Sequence, residues 1–104
     1  MVRFVGRDVV RFGHWDGYQE AAKTWKAVAV KMGLPEFRFS TPTSGTMQEV
    51  FFEAEFEDGA DVERRFAAAA AAKNPEWEAA FAGVESHITD GHSYSHVLSD
   101  MALD

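Results

Sequence analysis

The sequence has no cysteine, only three prolines, and only ten lysines and arginines against seventeen aspartates and glutamates. The lack of cysteine and the shortage of basic residues each remove a class of function. Without cysteine there is no disulfide, no thiolate nucleophile and no zinc–thiolate site, although the redox compartment stays open because proteins of either compartment can lack the residue. A formal charge of -7 repels a phosphate backbone at long range and leaves no basic stripe, so nucleic acid is not an expected partner. No apolar run approaches a membrane span, and Arg3, Arg7, Asp8 and Arg11 interrupt the stretch that a signal peptide would keep apolar. A soluble, cytoplasmic protein is expected. Phosphate loop, nucleophile elbow and dinucleotide fingerprint are also missing: the glycines are scattered and Ser44-Gly45 is turn chemistry. No nucleotide cofactor is expected.

What is present is material for one core. At 104 residues with 46% apolar and 13% aromatic content, the chain is long enough for one domain and rich enough to offset the entropy lost on folding. From Val2 to Phe12, Val2, Phe4, Val10 and Phe12 share one parity while Arg3, Arg7 and Arg11 take the other, which predicts a first strand. Asp8 before Val9 blurs the alternation and reads as a bulge or the end of regular pairing. Asp16 is a suitable N-cap for an amphipathic helix with Tyr18, Ala22, Trp25, Ala29 and Met32 on one face, closed by Gly33 and Pro35.

Phe37 and Phe39 alternate with Arg38 and Ser40, and Val50, Phe52, Ala54 and Phe56 with Glu49, Glu53, Glu55 and Glu57; a turn over residues 41–46 joins the two as a hairpin. Asp61 can cap a second helix through Val62 and Phe66 into the run Ala67 to Ala72, read as a thin face packed close to a sheet. Asn74-Pro75 then pairs an N-cap with proline at the first helical position, predicting a break and a new helical piece with Trp77, Ala80, Phe81 and Val84 on one stripe. A weaker fourth strand is placed between Gly91 and Met101. The order β, α, β, β, α, β is the split βαβ pattern of an α+β, ferredoxin-like domain, an antiparallel four-stranded sheet with helices on one face.

The helix from Tyr18 and Trp25 to Gly33, the aromatic strand Val50 to Phe56, and Lys73-Asn74-Pro75-Glu76-Trp77 resemble the dimeric α/β barrel superfamily, and within it the NIPSNAP-like proteins, where a similar Pro-Glu-Trp follows the second helix. The resemblance covers nearly the whole chain and implies a homodimer whose two sheets close a barrel. Relatives with that barrel include cofactor-free and haem-degrading monooxygenases, dehydratases and proteins of unknown role, so the likeness implies a fold and no single reaction.

Candidate chemistry gathers on the polar sheet face. Arg3 and Arg7 can oppose Glu49, Glu53 and Glu55, as solvated ion pairs in a monomer or as the lining of a cavity in the barrel dimer. Glu53 and Glu55 stand about 7 Å apart and suit arginines better than a shared cation. His92 and His96 have a metal-like spacing, yet in extended chain they lie roughly 13 Å apart, so no metal is expected there. Tyr94, His92 and His96 can instead share a face and move protons near neutral pH, or simply make an edge strand polar. His96 and Glu53 are the catalytic candidates; Arg7, Tyr94 and His92 the ligand-binding candidates, with His14 near a cavity mouth. A haem would want His14, His92 or His96 as axial ligand.

Two functions compete. In one, the barrel binds or transforms a small apolar or aromatic molecule without a nucleotide cofactor, in a monooxygenase-like or isomerase-like way. In the other, it is a non-enzymatic dimer module filled by its own side chains.

Overall fold

The computed structural model describes residues 1–43, 48–89 and 94–103, and of Tyr94 the backbone. The elements are β1 (Val2–Val9), α1 (Trp15–Lys31), β2 (Arg38–Ser40), β3 (Glu49–Phe56), α2 (Gly59–Ala71), α3 (Pro75–Glu85) and β4 (Tyr94–Leu98). The four strands form one antiparallel sheet in the order β2-β3-β1-β4, the ferredoxin-like arrangement in which the first and third strands are central. Among the described residues no helix is long and apolar enough to cross a membrane.

Pairing of Val2 with Phe56 through Val9 with Glu49 runs without interruption, so Asp8 marks no bulge. It is a charged residue on the helix-facing parity of β1, and that face requires a partner for it. The strand also ends earlier than the parity of Phe12 suggests: Val10 makes a single bridge to Ile88, and Phe12 stands 91% exposed before Gly13, whose φ of +83° turns the chain.

The cap of helix α1 lies two residues before the expected one. His14 occupies the N-cap with no side-chain capping bond, and Asp16 sits in the first turn, where its charge complements the helix dipole. The other end follows the sequence. Gly33 adopts φ +90°, and the bonds Gly33 N–H to Val30 and Leu34 N–H to Ala29 complete a Schellman motif with Leu34 buried.

In α2 the cap is Asp58, whose Oδ1 accepts the Asp61 N–H at 2.7 Å, while Asp61 reaches back to accept the Glu57 N–H at 3.0 Å. Asp61 is therefore the third helical residue and not the cap. Within the alanine run only Ala69 is buried, so most of that run faces solvent instead of forming a packed face. The break at Asn74 is present: Asn74 Oδ1 accepts the N–H groups of Glu76 and Trp77, Pro75 opens α3, and Lys73 turns the chain at φ +49°.

All helices lie on one sheet face. The main core joins Trp25, Val28, Ala29, Leu34 and Phe37 to Ala54, Phe56, Val62, Ala69, Trp77 and Ala80. A smaller cluster of Val10, Tyr18, Ala22 and Val50 packs beyond it. Trp25 meets Phe37 edge to face and Trp77 at a tilt, at 5.0 and 5.6 Å between ring centroids, tying α1 to both the sheet and α3.

Candidate functional site

The alternation of β1 and β3 separates two sets of polar groups. On the face away from the helices, Arg3 is opposite Glu55, Val5 opposite Glu53 and Arg7 opposite Phe51. Arg7 donates to Glu49, and Arg38 to Glu53 at 3.0 Å, so the expected arginine–glutamate pairing is formed, with Arg38 serving Glu53. The same register sets His96 opposite Val5 and Tyr94 opposite Arg7. Arg7, Glu53 and His96 thus share one face, with Tyr94 beside Arg7 in backbone register. Glu53 and His96 flank Val5 from strands on either side, their backbones about 9 to 10 Å apart across the sheet. His92 lies outside the described residues.

His14 belongs to a different neighbourhood. Its Nδ1 is 3.0 Å from Nδ1 of His87, one ring donating and the other accepting, and the His87 ring lies over Gly17, where a Cβ would stand 2.5 Å from it. Arg11 holds the same segment, its N–H bonding the His87 carbonyl and its Nε the Ile88 carbonyl. The pair fastens the chain after α3 to the start of α1. Among the described residues no group of three or more His, Asp or Glu is placed to hold a metal ion.

The helix side of the sheet holds a cleft of about 180 Å³, walled by Trp25, Phe39, Phe52, Phe81, Val84 and Ile88. Asp8 and Glu85 are its acidic members. Asp8 is only 6% exposed, and its Oδ2 accepts a hydrogen bond from the Tyr18 hydroxyl at 2.8 Å. Burial first, then the Asp8 charge and the hydrogen bond itself, push the Tyr18 phenol upward, so it stays protonated and remains the donor. A buried carboxylate fixed in this way can accept a proton or hydrogen bond inside a largely apolar space.

Sequence reasoning placed Tyr18 on the core face but gave neither it nor Asp8 a chemical role, and it passed over His87. The signal for Asp8 was available: a carboxylate on the core-facing parity of a strand demands a buried partner. His87 had no such signal, since it follows the end of a helix where periodicity is silent.

No family model matches the sequence, and no curated protein matches it. Solved structures do. A NIPSNAP domain protein from Burkholderia xenovorans superposes with a TM-score of 0.79 at 17% identity, covering 100% of this chain and 98% of that one. The fold is that of NIPSNAP proteins. A NIPSNAP family protein of unknown function from Agrobacterium tumefaciens gives 0.77 at 16% identity over 94% of this chain and 86% of its own. An antibiotic biosynthesis monooxygenase gives 0.71 at 9% identity, covering 98% and 100%. At these identities the NIPSNAP-like likeness read from the sequence holds at the level of fold.

Proposed function

We propose that this protein binds a small apolar molecule, about one aromatic ring in size, in the cleft between sheet and helices, and that it does so as a homodimer. The observation that carries the reading is the cleft itself: six apolar walls around one fixed carboxylate, at about 180 Å³. An apolar cavity of roughly 150 Å³ suffices for benzene, whereas drug-sized ligands occupy about 300 Å³ or more. The space suits a single ring and is too small for a haem. The monooxygenase among the structural neighbours supports a monooxygenase-like transformation of the bound molecule, with Asp8 as the acceptor group and Tyr18 as its positioning residue.

The dimer reading rests on the open sheet face, where Val5, Val9 and Phe51 are half-buried beside the Arg7–Glu49 and Arg38–Glu53 pairs. A face of this composition gains from cover by a second copy. In the dimer, Arg7, Glu53 and His96 would line the space between the sheets, with the backbone of Tyr94 beside Arg7. The ion pairs already made by Arg7 and Glu53 favour a structural role for them there over catalysis.

Titrating the protein with toluene and phenol while following tryptophan fluorescence, to which Trp25 in the cleft wall contributes, tests the cleft, with Val84→Phe as the variant that fills it. Saturable binding is expected in the parent and its loss in Val84→Phe, with the helical signal unchanged. Absence of saturable binding, or equal affinity in the filled variant, refutes the site. Light scattering should give a mass near twice 11.6 kDa, and a monomer at every concentration refutes the dimer.

A further inference from the structure

We infer that the ligand is an aromatic carboxylic acid, its ring in the inner cleft and its carboxylate outside at Lys23 and Lys26. This rests on the reading of the cleft as a ligand site. A second hollow of about 480 Å³ opens between α1 and β2, with Lys23, Lys26, Ser40 and Thr41 among its lining residues. Phe39 walls both hollows, and Tyr18, which lines the outer one, is hydrogen-bonded to Asp8 of the inner one. The two spaces are neighbours across one ring. That ring belongs to a three-residue edge strand, the part of the sheet held by fewest ladder bonds.

The two hollows have opposite polarity. The outer one has two lysines, three hydroxyl side chains and no carboxylate among its lining residues, in a chain whose net charge is -7. The inner one is lined by Asp8 and Glu85 and by no cation. An anionic ligand is therefore repelled if it enters carboxylate first and held if it enters ring first, so charge alone orients it. The lysines make surface pairs, Lys23 with Glu20 at 3.3 Å and Lys26 with Glu36 at 3.2 Å. Exposed pairs of that kind contribute little and exchange readily for a ligand carboxylate, to which Ser40 and Thr41 can add hydrogen bonds. The outer hollow also falls in the size range usual for ligand sites, which the inner one alone does not reach.

The test compares hydrocinnamate with hydrocinnamyl alcohol, the same ring and chain with and without the charge, by calorimetry and tryptophan fluorescence on the intact protein. The acid is expected to bind about tenfold tighter, the gap narrowing as salt is raised. The double variant Lys23→Gln, Lys26→Gln should bind the alcohol as the parent does and lose the preference for the acid. Equal affinities in the parent, tighter binding of the alcohol, or a preference that survives in the double variant would overturn the inference while leaving the cleft as a ligand site. Binding of neither compound would remove both.

Discussion

Replacing Gly6 with alanine tests whether the cleft is set by one close approach inside the sheet. A Cβ at position 6 would lie 2.9 Å from Cε1 of Phe52 and closer still to its Cζ and Cε2, so the ring must move. Phe4 and Phe37, each 6.3 Å away between centroids, and Phe39 at 5.9 Å crowd three of its sides. The remaining direction is the cleft, which Phe52 already lines. Overpacking of this kind costs about 1 to 3 kcal/mol. Alanine recovers about 0.4 to 1 kcal/mol by restricting the unfolded chain. The expected net loss is about 1 to 2 kcal/mol, read as a lower urea midpoint at unchanged slope, together with loss of single-ring binding because the displaced ring occupies the site. Adding Phe52→Leu should relieve the clash, so the double variant should be no less stable than Phe52→Leu alone. A Gly6→Ala protein with parental stability and parental affinity would show that the ring adjusts without entering the cleft, and the reasoning would be wrong.

The break between α2 and α3 gives a paired expectation: Trp77→Ala should cost about 3 to 5 kcal/mol because the ring is buried against Trp25, whereas Pro75→Ala should change stability by less than about 1 kcal/mol, since a first-turn proline gives up no helix bond; thermal melts of the two decide it. The Glu57 N–H is the main influence holding the Asp61 carboxyl below its ordinary value of 3.8, against the opposing effect of burial and with Arg65 and Arg64 assisting. A depressed carboxylate stabilises the fold above its unfolded-state value and loses that contribution as pH falls through the folded one, so melting temperature should drop as pH falls below the ordinary carboxylate value, and Asp61→Asn should flatten that drop.

Strand β3 was legible because its two faces meet different solvents. Val50, Ala54 and Phe56 are buried and Phe52 is half-buried, while Glu53 and Glu55 stand on the other face, so the period of two is written in polarity. The alanine run of α2 was legible as helix and illegible as a face, because alanine favours the backbone conformation without preferring water or core, and only Ala69 is buried. Both helix starts shifted by two or three residues for one reason. Several residues able to cap stand near each start, and the chain's entry path, which local sequence does not record, selects His14 over Asp16 and Asp58 over Asp61. The site divides the same way: the open-face arginines and glutamates follow from alternation alone, whereas the cleft depends on where α3 lays Phe81 and Val84 over the sheet.

Adjacent residues Arg7 and Asp8 show how that division is enforced. The pleat sends Arg7 to the open face, where it meets Glu49, and Asp8 to the helix face, where Tyr18 waits. A one-residue slip of β1 would exchange them, placing a guanidinium beside the Tyr18 phenol in the core and a carboxylate beside Glu49 on the other side. Each misplaced charge would lose its partner, and a buried charge without one is strongly destabilising, on the order of 3 to 5 kcal/mol. The two charges therefore act as a register lock in the central strand. The buried carboxylate that the lock requires is also the one polar group β1 contributes to the cleft, so the residue that fixes the sheet's register is the one that gives the site its chemistry.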